Sequence, residues 1–286
     1  MQVEDNRLST MKRFFEKSMR HSIYPQEEWR SLFQRLAEDL IGLDRLQITL
    51  AEDTKLTESQ ILRFLNAIKA LKAGTPLQYI IGHTSFCGLR LLTQSGTLIP
   101  RPETEELVHW IHSEQQNAQA ILDIGTGTGC IALALKSKLP SARIQAIEVD
   151  DTALEIAREN QRATGLDIQL VQDDILRPEG NYESFDVIVS NPPYVLESDK
   201  QAMRENVLAH EPHQALFVRD EDPLVFYRAI LDFAVDHLKE NGSIYWEIHE
   251  EQGEAIRELC MQKDFKDVII RRDMQGKDRM VKASRE

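Results

Sequence analysis

From residue 119 to the end of the chain, short apolar segments alternate with amphipathic helical segments, and this pattern limits the fold most strongly. The strand candidates are AILDIG, ARIQAIEV, DIQLVQ, FDVIVS, SIYWEI and KDVIIR. Between several of them lie segments with apolar residues three and four apart, such as CIALALKSKL and TALEIARENQRA. Alternation of this kind predicts an α/β fold, with a parallel sheet covered by helices on both faces.

The chain divides into three regions by its sequence pattern. Residues 1–75 contain amphipathic segments with helical periodicity and predict a small helical domain, whose last helix is capped by Thr57 and stopped by Gly74. Residues 76–100 contain β-rich pieces separated by glycines and predict a hairpin linker. Residues 101–286 form the predicted α/β domain.

Charge is distributed unevenly between these regions and excludes one class of partner. Residues 1–75 carry a net charge of +1 and residues 76–286 a net charge of −14, within a total of −13. Affinity for nucleic acid comes largely from lysine and arginine that contact phosphates. An acidic body without a basic stripe therefore argues against a duplex DNA-binding protein and favours a small-molecule cofactor.

Cysteine usage and hydropathy indicate where the protein works. Three scattered cysteines without a C-x-x-C pair favour reduced thiols, and the first residues lack the apolar core of a signal peptide. No apolar stretch approaches the length of a membrane span. We expect a cytoplasmic protein without a membrane partner.

A glycine-rich loop follows the first strand of the α/β region. The loop residues are Gly125, Thr126, Gly127, Thr128 and Gly129. Glycines allow a tight turn and a close approach of the backbone to a ligand, at the sheet edge where open α/β sheets bind ligands. The G-x-G-x-G spacing, with Cys130 where a dinucleotide fingerprint needs glycine, disfavours NAD, and the absence of Gly-Lys-Ser/Thr disfavours ATP.

An acidic residue ends the next strand. Glu148 lies 23 positions after Gly125, and a carboxylate at about this distance can accept hydrogen bonds from ribose hydroxyls. Loop and acid together predict an adenosine-bearing cofactor with little or no phosphate, and S-adenosylmethionine fits this description.

The most specific motif follows the fourth strand candidate and consists of Asn191, Pro192, Pro193 and Tyr194. The two prolines fix the backbone and have no N–H, so the turn is rich in hydrogen-bond acceptors. A planar NH₂ group offers two donors that such a turn can hold, and Tyr194 can pack on a flat substrate. Two N–H contacts would aim a poorly nucleophilic amide or aromatic nitrogen at a methyl donor. The motif predicts catalytic residues for methyl transfer to a planar amino group.

Two histidine pairs have a spacing that can suit metal ligands. His109 and His112 are three residues apart, as are His210 and His213. A metal site also needs third and fourth ligands, which no Cys or His cluster in the sequence supplies. No metal site is expected.

The glycine loop and the Asn-Pro-Pro-Tyr turn resemble motifs of class I methyltransferases that modify planar amino groups. Three further segments narrow the resemblance: TPLQYIIG at 75–82, LIPRPETEELV at 98–108, and Glu211-Pro212 followed by Ala215-Leu216. These resemble the peptide chain release factor glutamine methyltransferase family, clearly over about residues 74–286. The N-terminal helices match only in position and helical character.

This resemblance implies a Rossmann-like, seven-stranded class I methyltransferase domain preceded by a helical domain and a β-hairpin linker. It implies S-adenosylmethionine as methyl donor. The implied reaction, which serves translation termination, is N5-methylation of the glutamine in the Gly-Gly-Gln motif of class I release factors.

The resemblance also implies roles for individual residues. Gly125 to Gly129 would cradle the methionine part of the cofactor, and Glu148 would bind ribose. Asp174 would approach the adenine amino group, with Ile175 beside the ring. Asn191, Pro192 and Tyr194 would hold the glutamine amide, Pro193 belongs with them to the catalytic turn, and Asn191 would also lie next to the cofactor. Glu148 stands where members often have Asp, and Ile175 where some have an aromatic residue.

Other functions remain open at this stage. One alternative hypothesis keeps methyl transfer to a glutamine amide but places that glutamine in a ribosomal protein. An N6-adenine nucleic-acid methyltransferase can use the same turn on a flipped base, although the acidic body disfavours it and no direct nucleic-acid contact is expected. A cofactor-binding protein without turnover is a third alternative. We expect a monomer.

Overall fold

A computed structural model describes the chain at residues 5–20, 22–50 and 53–285. It divides into two compact units. The helical unit comprises residues 1–82 and 203–210, and the sheet unit comprises residues 83–202 and 211–286.

Secondary-structure elements are numbered in chain order within the described residues. The helices are α1 (Leu8–Met19), α2 (Gln26–Ile41), α3 (Arg45–Leu50), α4 (Glu58–Lys72), α5 (Leu77–Ile81), α6 (Pro102–Glu114), α7 (Cys130–Lys138), α8 (Asp151–Thr164), α9 (Glu205–His210), α10 (His213–Leu216), α11 (Val225–His237) and α12 (Gly253–Gln262). The strands are β1 (His83–Phe86), β2 (Leu89–Leu92), β3 (Ala120–Ile124), β4 (Arg143–Glu148), β5 (Gln169–Gln172), β6 (Phe185–Ser190), β7 (Val195–Leu196), β8 (Phe217–Val218), β9 (Leu238–Glu247), β10 (Lys266–Arg272) and β11 (Asp278–Ser284). A 3₁₀ helix covers Glu197–Ala202.

The helical unit has its own aromatic core. Phe33 of α2 lies 5.5 Å from Phe15 of α1 and 5.8 Å from Phe64 of α4, measured between ring centroids. The predicted cap of α4 is confirmed, since the Thr57 hydroxyl accepts from the Gln60 N–H while the Gln60 side chain accepts from the Thr57 N–H. The unit also includes α5 and extends to Gly82, whereas the sequence placed a boundary after residue 75.

Seven strands of the described residues form the main sheet, in the order β10-β11-β9-β6-β3-β4-β5. Strands β9, β6, β3, β4 and β5 pair in parallel, and β11 runs antiparallel to both of its neighbours. The expected α/β fold is therefore confirmed. The carboxyl ends of the parallel strands meet at one edge, so the loops that follow β3, β4, β5 and β6 lie close together.

Two apolar cores cover the two faces of this sheet. Successive residues of β6 alternate between them, because side chains of a strand point to opposite faces. Val187 and Val189 pack in the core with α6 and α7, and Ile188 packs in the core with α11. Burial on both faces explains the apolar run at residues 187–189 of β6.

The sequence located most of these strands and missed one. Strand β6 begins and ends at the predicted residues, and β9 begins earlier than predicted because Leu238 already pairs with Phe185 ahead of a register shift. Strand β11 was not among the strand candidates. Its Arg279 and Lys282 interrupt the apolar pattern, and both are accommodated by ion pairs, with Asp273 and Glu114.

The predicted hairpin linker lies within 76–100 as β1 and β2, which pair antiparallel. The buried Asn160 of α8 fixes the hairpin to the sheet unit. Its side chain accepts from the Leu92 N–H at 2.6 Å and donates to the Leu92 carbonyl at 3.2 Å and the Thr128 carbonyl at 2.9 Å.

None of the helices in the described ranges combines the length and the apolar character that crossing a membrane requires.

Candidate active site

The glycine loop forms one wall of a cleft at the carboxyl edge of the sheet. Gly125, Gly127 and Gly129 all have positive φ, between +56° and +80°. At Gly129 an added Cβ would also lie 3.3 Å from Leu133 and 3.4 Å from Ala157, so any other residue would strain the backbone and crowd α8. At Gly127 an added Cβ would have no atom of the described residues within 4 Å, which leaves the loop open towards the cleft.

A buried carboxylate anchors this loop to the start of α7. Asp123 Oδ2 accepts from the Thr126 hydroxyl at 2.6 Å and from the Ala132 N–H at 3.2 Å, while its Oδ1 has no partner among the described residues. Burial raises the pKa of Asp123 to about 7. This role of Asp123 could not be predicted from the sequence, because an aspartate at the end of a strand does not reveal which groups it will hydrogen-bond.

Glu148, at the end of β4, is hydrogen-bonded to the glycine loop. Its Oε2 accepts from the Gly127 N–H at 2.8 Å, and its Oε1 accepts from the N–H groups of Val149 and Asp150 at 2.9 and 3.0 Å. Burial raises the pKa of Glu148. A carboxylate offers about four lone-pair sites, so Oε2 keeps capacity for a hydroxyl donor from a ligand.

Asp174 and Ile175 follow β5 and line the same cleft. Asp174 Oδ1 accepts from the Leu176 N–H at 2.9 Å. The neighbouring Asp173 shapes this turn, since its carboxylate accepts from the Asp174 and Gly180 N–H groups and from the Tyr182 hydroxyl.

The Asn-Pro-Pro-Tyr turn lies at the end of β6, and a chain of hydrogen bonds fixes it from behind. Tyr194 donates its hydroxyl to Glu247 Oε1 at 2.8 Å, and Thr104 donates its hydroxyl to Glu247 Oε2 at 2.6 Å. Asn191 Nδ2 in turn donates to Thr104 Oγ1 at 3.2 Å. Glu247, at the end of β9, is 1% exposed, and burial raises its pKa.

These hydrogen bonds determine which way the Asn191 amide points. A threonine hydroxyl has one hydrogen, and Thr104 donates it to the carboxylate of Glu247. The atom of Asn191 that faces Thr104 must therefore be a donor, which is Nδ2. Asn191 Oδ1 is left as the acceptor, and Asn191 lines the cleft.

Two distant segments meet at the mouth of the cleft. Arg101, just before α6, contacts both carboxylate oxygens of Glu211 at 2.6 and 2.7 Å, and the Ile99 N–H donates to Glu211 at 3.2 Å. Glu211 is buried. The LIPRPETEELV and Glu211-Pro212 segments, which the sequence analysis singled out separately, therefore form one structure.

The cleft encloses about 270 Å³. Of the residues predicted to bind cofactor or substrate, those that line it are Gly125, Thr126, Gly127, Thr128, Glu148, Asp174, Ile175, Asn191, Pro192 and Pro193. Gly129 is instead the N-cap residue of α7, and Tyr194 turns its hydroxyl to Glu247. Sequence reasoning gave no role to Thr104, which also lines the cleft, because its bond to Glu247 joins residues far apart in the chain.

The described residues suit S-adenosylmethionine in three respects. The open glycine loop admits a ligand against the backbone, Glu148 Oε2 can accept from a ribose hydroxyl, and the half-buried Asp174 beside Ile175 combines an acceptor with an apolar surface for a purine. Arg101 is the single Lys or Arg among the described residues that line the cleft, and it is paired with Glu211. A cofactor with phosphate groups would need a cluster of basic side chains, whereas S-adenosylmethionine has no phosphate and needs none.

The chain is similar to known proteins in sequence and in fold. Residues 103–218 match the family model described as methyltransferase small domain, and residues 23–82 match the PrmC N-terminal domain. Among solved structures, a methyltransferase from Pyrococcus furiosus is similar with a TM-score of 0.51 at 18% identity, covering 80% of this chain and 98% of that chain. This likeness concerns the fold.

Sequence relatives are similar over nearly their whole length. A release factor glutamine methyltransferase from Flavobacterium psychrophilum is 42% identical over 92% of this chain and 94% of its own. One from Bacteroides thetaiotaomicron is 40% identical over 92% of this chain and 95% of its own. By this similarity of sequence, the chain belongs to the release factor glutamine methyltransferase family.

Proposed function

We propose that this protein transfers a methyl group from S-adenosylmethionine to the side-chain amide nitrogen of the Gly-Gly-Gln glutamine of class I release factors. The observation that carries the proposal is the orientation of Asn191. Its amide is held by Thr104, with Oδ1 left as an acceptor beside the glycine loop.

The cofactor would be held by the residues that form the loop side of the cleft. Gly125 to Gly129 would accommodate its methionine part, Glu148 its ribose, and Asp174 with Ile175 its adenine. When bound, S-adenosylmethionine supplies a methyl group on a positively charged sulfur.

The turn would hold the substrate amide through both of its hydrogens. Asn191 Oδ1 and the carbonyls of Asn191 and Pro192 are acceptors, and Pro192 and Pro193 add no competing N–H. Two such hydrogen bonds fix the amide plane and aim its nitrogen, which is the main contribution a positioning site can make to an in-line displacement. No strong base is needed beforehand, because the nitrogen becomes acidic once it is alkylated.

For Tyr194 we propose a more restricted role than the sequence indicates. Its hydroxyl is used by Glu247, and burial beside this carboxylate raises its pKa well above the usual value, so it stays a neutral donor. We propose that Tyr194 supports the turn and that its ring limits where the substrate lies.

The helical region 1–75 is proposed to recognise the release factor, joined through the hairpin linker 76–100 to the methyltransferase domain 101–286. Modification of a translation factor places the activity in the cytoplasm. We propose a monomer that acts without direct nucleic-acid contact.

The test is mass spectrometry of a purified release factor after incubation with the protein and S-adenosylmethionine. The proposal predicts one added methyl on the Gly-Gly-Gln glutamine. A release factor with that glutamine replaced by glutamate is the matched control and should gain none. If the cofactor binds but the methyl appears on ribosomal protein or adenine instead, the proposed substrate is wrong.

A further inference from the structure

The turn of the β1–β2 hairpin has an unusual residue. Phe86 pairs with Leu89, so Cys87 and Gly88 form a two-residue loop with φ of +48° and +81°. Loops with two positive φ values strongly favour Asn, Asp and Gly, and a cysteine in this conformation is strained. Such strained residues cluster at functional sites, so the side chain of Cys87 requires an explanation.

The thiol of Cys87 lies next to two potential metal ligands on α6. Glu105 and His109 are one helical turn apart and therefore share a face. The Cys87 sulfur, a carboxylate oxygen of Glu105 and a ring nitrogen of His109 all lie within 4.8 Å of one another. The Cys87 N–H donates to Glu105 Oε1 at 3.0 Å, which holds the carboxylate beside the turn.

Thiolate, imidazole and carboxylate are the ligands that Zn²⁺ takes in proteins, and three protein ligands leave the fourth position to water. Bonds of about 2.0–2.3 Å to a tetrahedral ion place its ligand atoms roughly 3.3–3.8 Å apart. The atoms would need to close by at most about 1.5 Å, and the exposed His109 can rotate to do so. We propose that Cys87, Glu105 and His109 form a binding site for a divalent transition-metal ion of the zinc type.

Sequence analysis expected no metal site because it considered His109 only together with His112. The fold supplies the missing ligands from two places. Glu105 comes from the preceding turn of α6, and Cys87 comes from a hairpin whose packing could not be read from the sequence.

Metal binding would be an exchange of a proton for the ion. On binding, the S–H bond breaks, a sulfur–metal bond forms and the proton leaves to the buffer. The bound ion would join the hairpin to α6, whose first turn carries Thr104.

The experiment is a titration of the untagged, metal-free full-length protein with Co²⁺, followed by displacement with Zn²⁺. We expect one equivalent to bind with a thiolate-to-cobalt charge-transfer band. Cys87→Asn removes the sulfur with a residue that suits the turn, and Glu105→Gln keeps an acceptor for the Cys87 N–H. Each of these, and His109→Gln, should weaken binding by more than the roughly 10-fold that loss of an outer-shell partner costs.

His112→Gln is the matched control, since His112 lies on the same helix outside the group, and it should bind Co²⁺ like the wild type. Far-UV circular dichroism verifies that each variant is folded. Zn²⁺ should raise the Tm of the wild type and leave that of Cys87→Asn unchanged. Absence of the charge-transfer band, or unchanged affinity in Cys87→Asn, would overturn the proposal. Neither outcome depends on which substrate the protein methylates.

Discussion

Replacing Thr104 with valine keeps the shape of the side chain and removes the hydroxyl that links Asn191 to Glu247. In the wild type this hydroxyl accepts from Asn191 at 3.2 Å and donates to Glu247 at 2.6 Å. In Thr104→Val the Asn191 Nδ2 loses its acceptor and the buried Glu247 loses one of its donors. Nothing then selects the orientation that leaves Asn191 Oδ1 towards the cleft.

The expected effects follow from these two lost bonds. A buried polar group left without its partner costs roughly 1–3 kcal/mol, and of the two groups only Glu247 is buried, so the free energy of unfolding should fall by about 1–3 kcal/mol. The loss of one neutral hydrogen bond to the substrate costs about tenfold in rate, and misplacement of a positioning group by about 1 Å costs about 100-fold. We therefore expect kcat to fall about 10- to 100-fold, while cofactor affinity changes by less than about threefold because the loop and Glu148 are untouched.

Steady-state methylation of a release factor gives kcat and KM, calorimetry gives the Kd for S-adenosylmethionine, and urea denaturation gives stability. Thr104→Ser keeps the hydroxyl and should restore most of kcat. A wild-type kcat in Thr104→Val would refute the reasoning. Equal losses in the serine and valine variants would assign the effect to the missing methyl group instead of the hydrogen bonds.

Three further predictions concern neighbouring residues. Glu148→Ala should weaken S-adenosylmethionine binding before it affects transfer at saturating cofactor, and an unchanged Kd by calorimetry would remove Glu148 from the ribose site. Tyr194→Phe should lower the free energy of unfolding by about 1–3 kcal/mol, because Glu247 loses a donor, and should lower kcat less than Thr104→Val does; urea denaturation and initial rates measure both. Asp123 has a folded pKa of about 7, above the 3.8 of the unfolded chain, so its protonation stabilises the fold at low pH and this contribution is lost as pH rises through about 7. Wild-type stability should therefore decline relative to Asp123→Asn between about pH 4 and pH 7 and level off above about pH 7, and parallel urea-denaturation profiles would contradict this assignment.

The fold was predictable where local patterns match the final environment. Residues 187–189 of β6 are all apolar because both faces of the strand are covered there, and α4 carries its cap in its own sequence. Strand β11 was not found, because its Arg279 and Lys282 look like surface residues until Asp273 and Glu114 are placed beside them. A single sequence does not show the partners of such charges.

The same distinction applies to the site. The glycine loop, Glu148 and the turn are contiguous in sequence or separated by a motif spacing, and all of their residues except Gly129 and Tyr194 line one cleft. The support behind them is non-local, since Thr104 and Glu247 come from α6 and β9, and Arg101 meets Glu211 across a long stretch of chain. The chemistry could therefore be predicted from the sequence, whereas the residues that orient it required the fold.

The most direct test of the account is the single-turnover rate of methyl transfer to the Gly-Gly-Gln glutamine, measured by mass spectrometry for wild type and Asn191→Ala, both saturated with S-adenosylmethionine. Because only the substrate amide loses its acceptor, we expect the variant to bind the cofactor with nearly wild-type Kd. Its transfer rate should fall on the order of 10²-fold or more. A wild-type rate, or a loss of rate matched by an equal loss of cofactor affinity, would contradict the assignment of Asn191 as the residue that holds the glutamine amide.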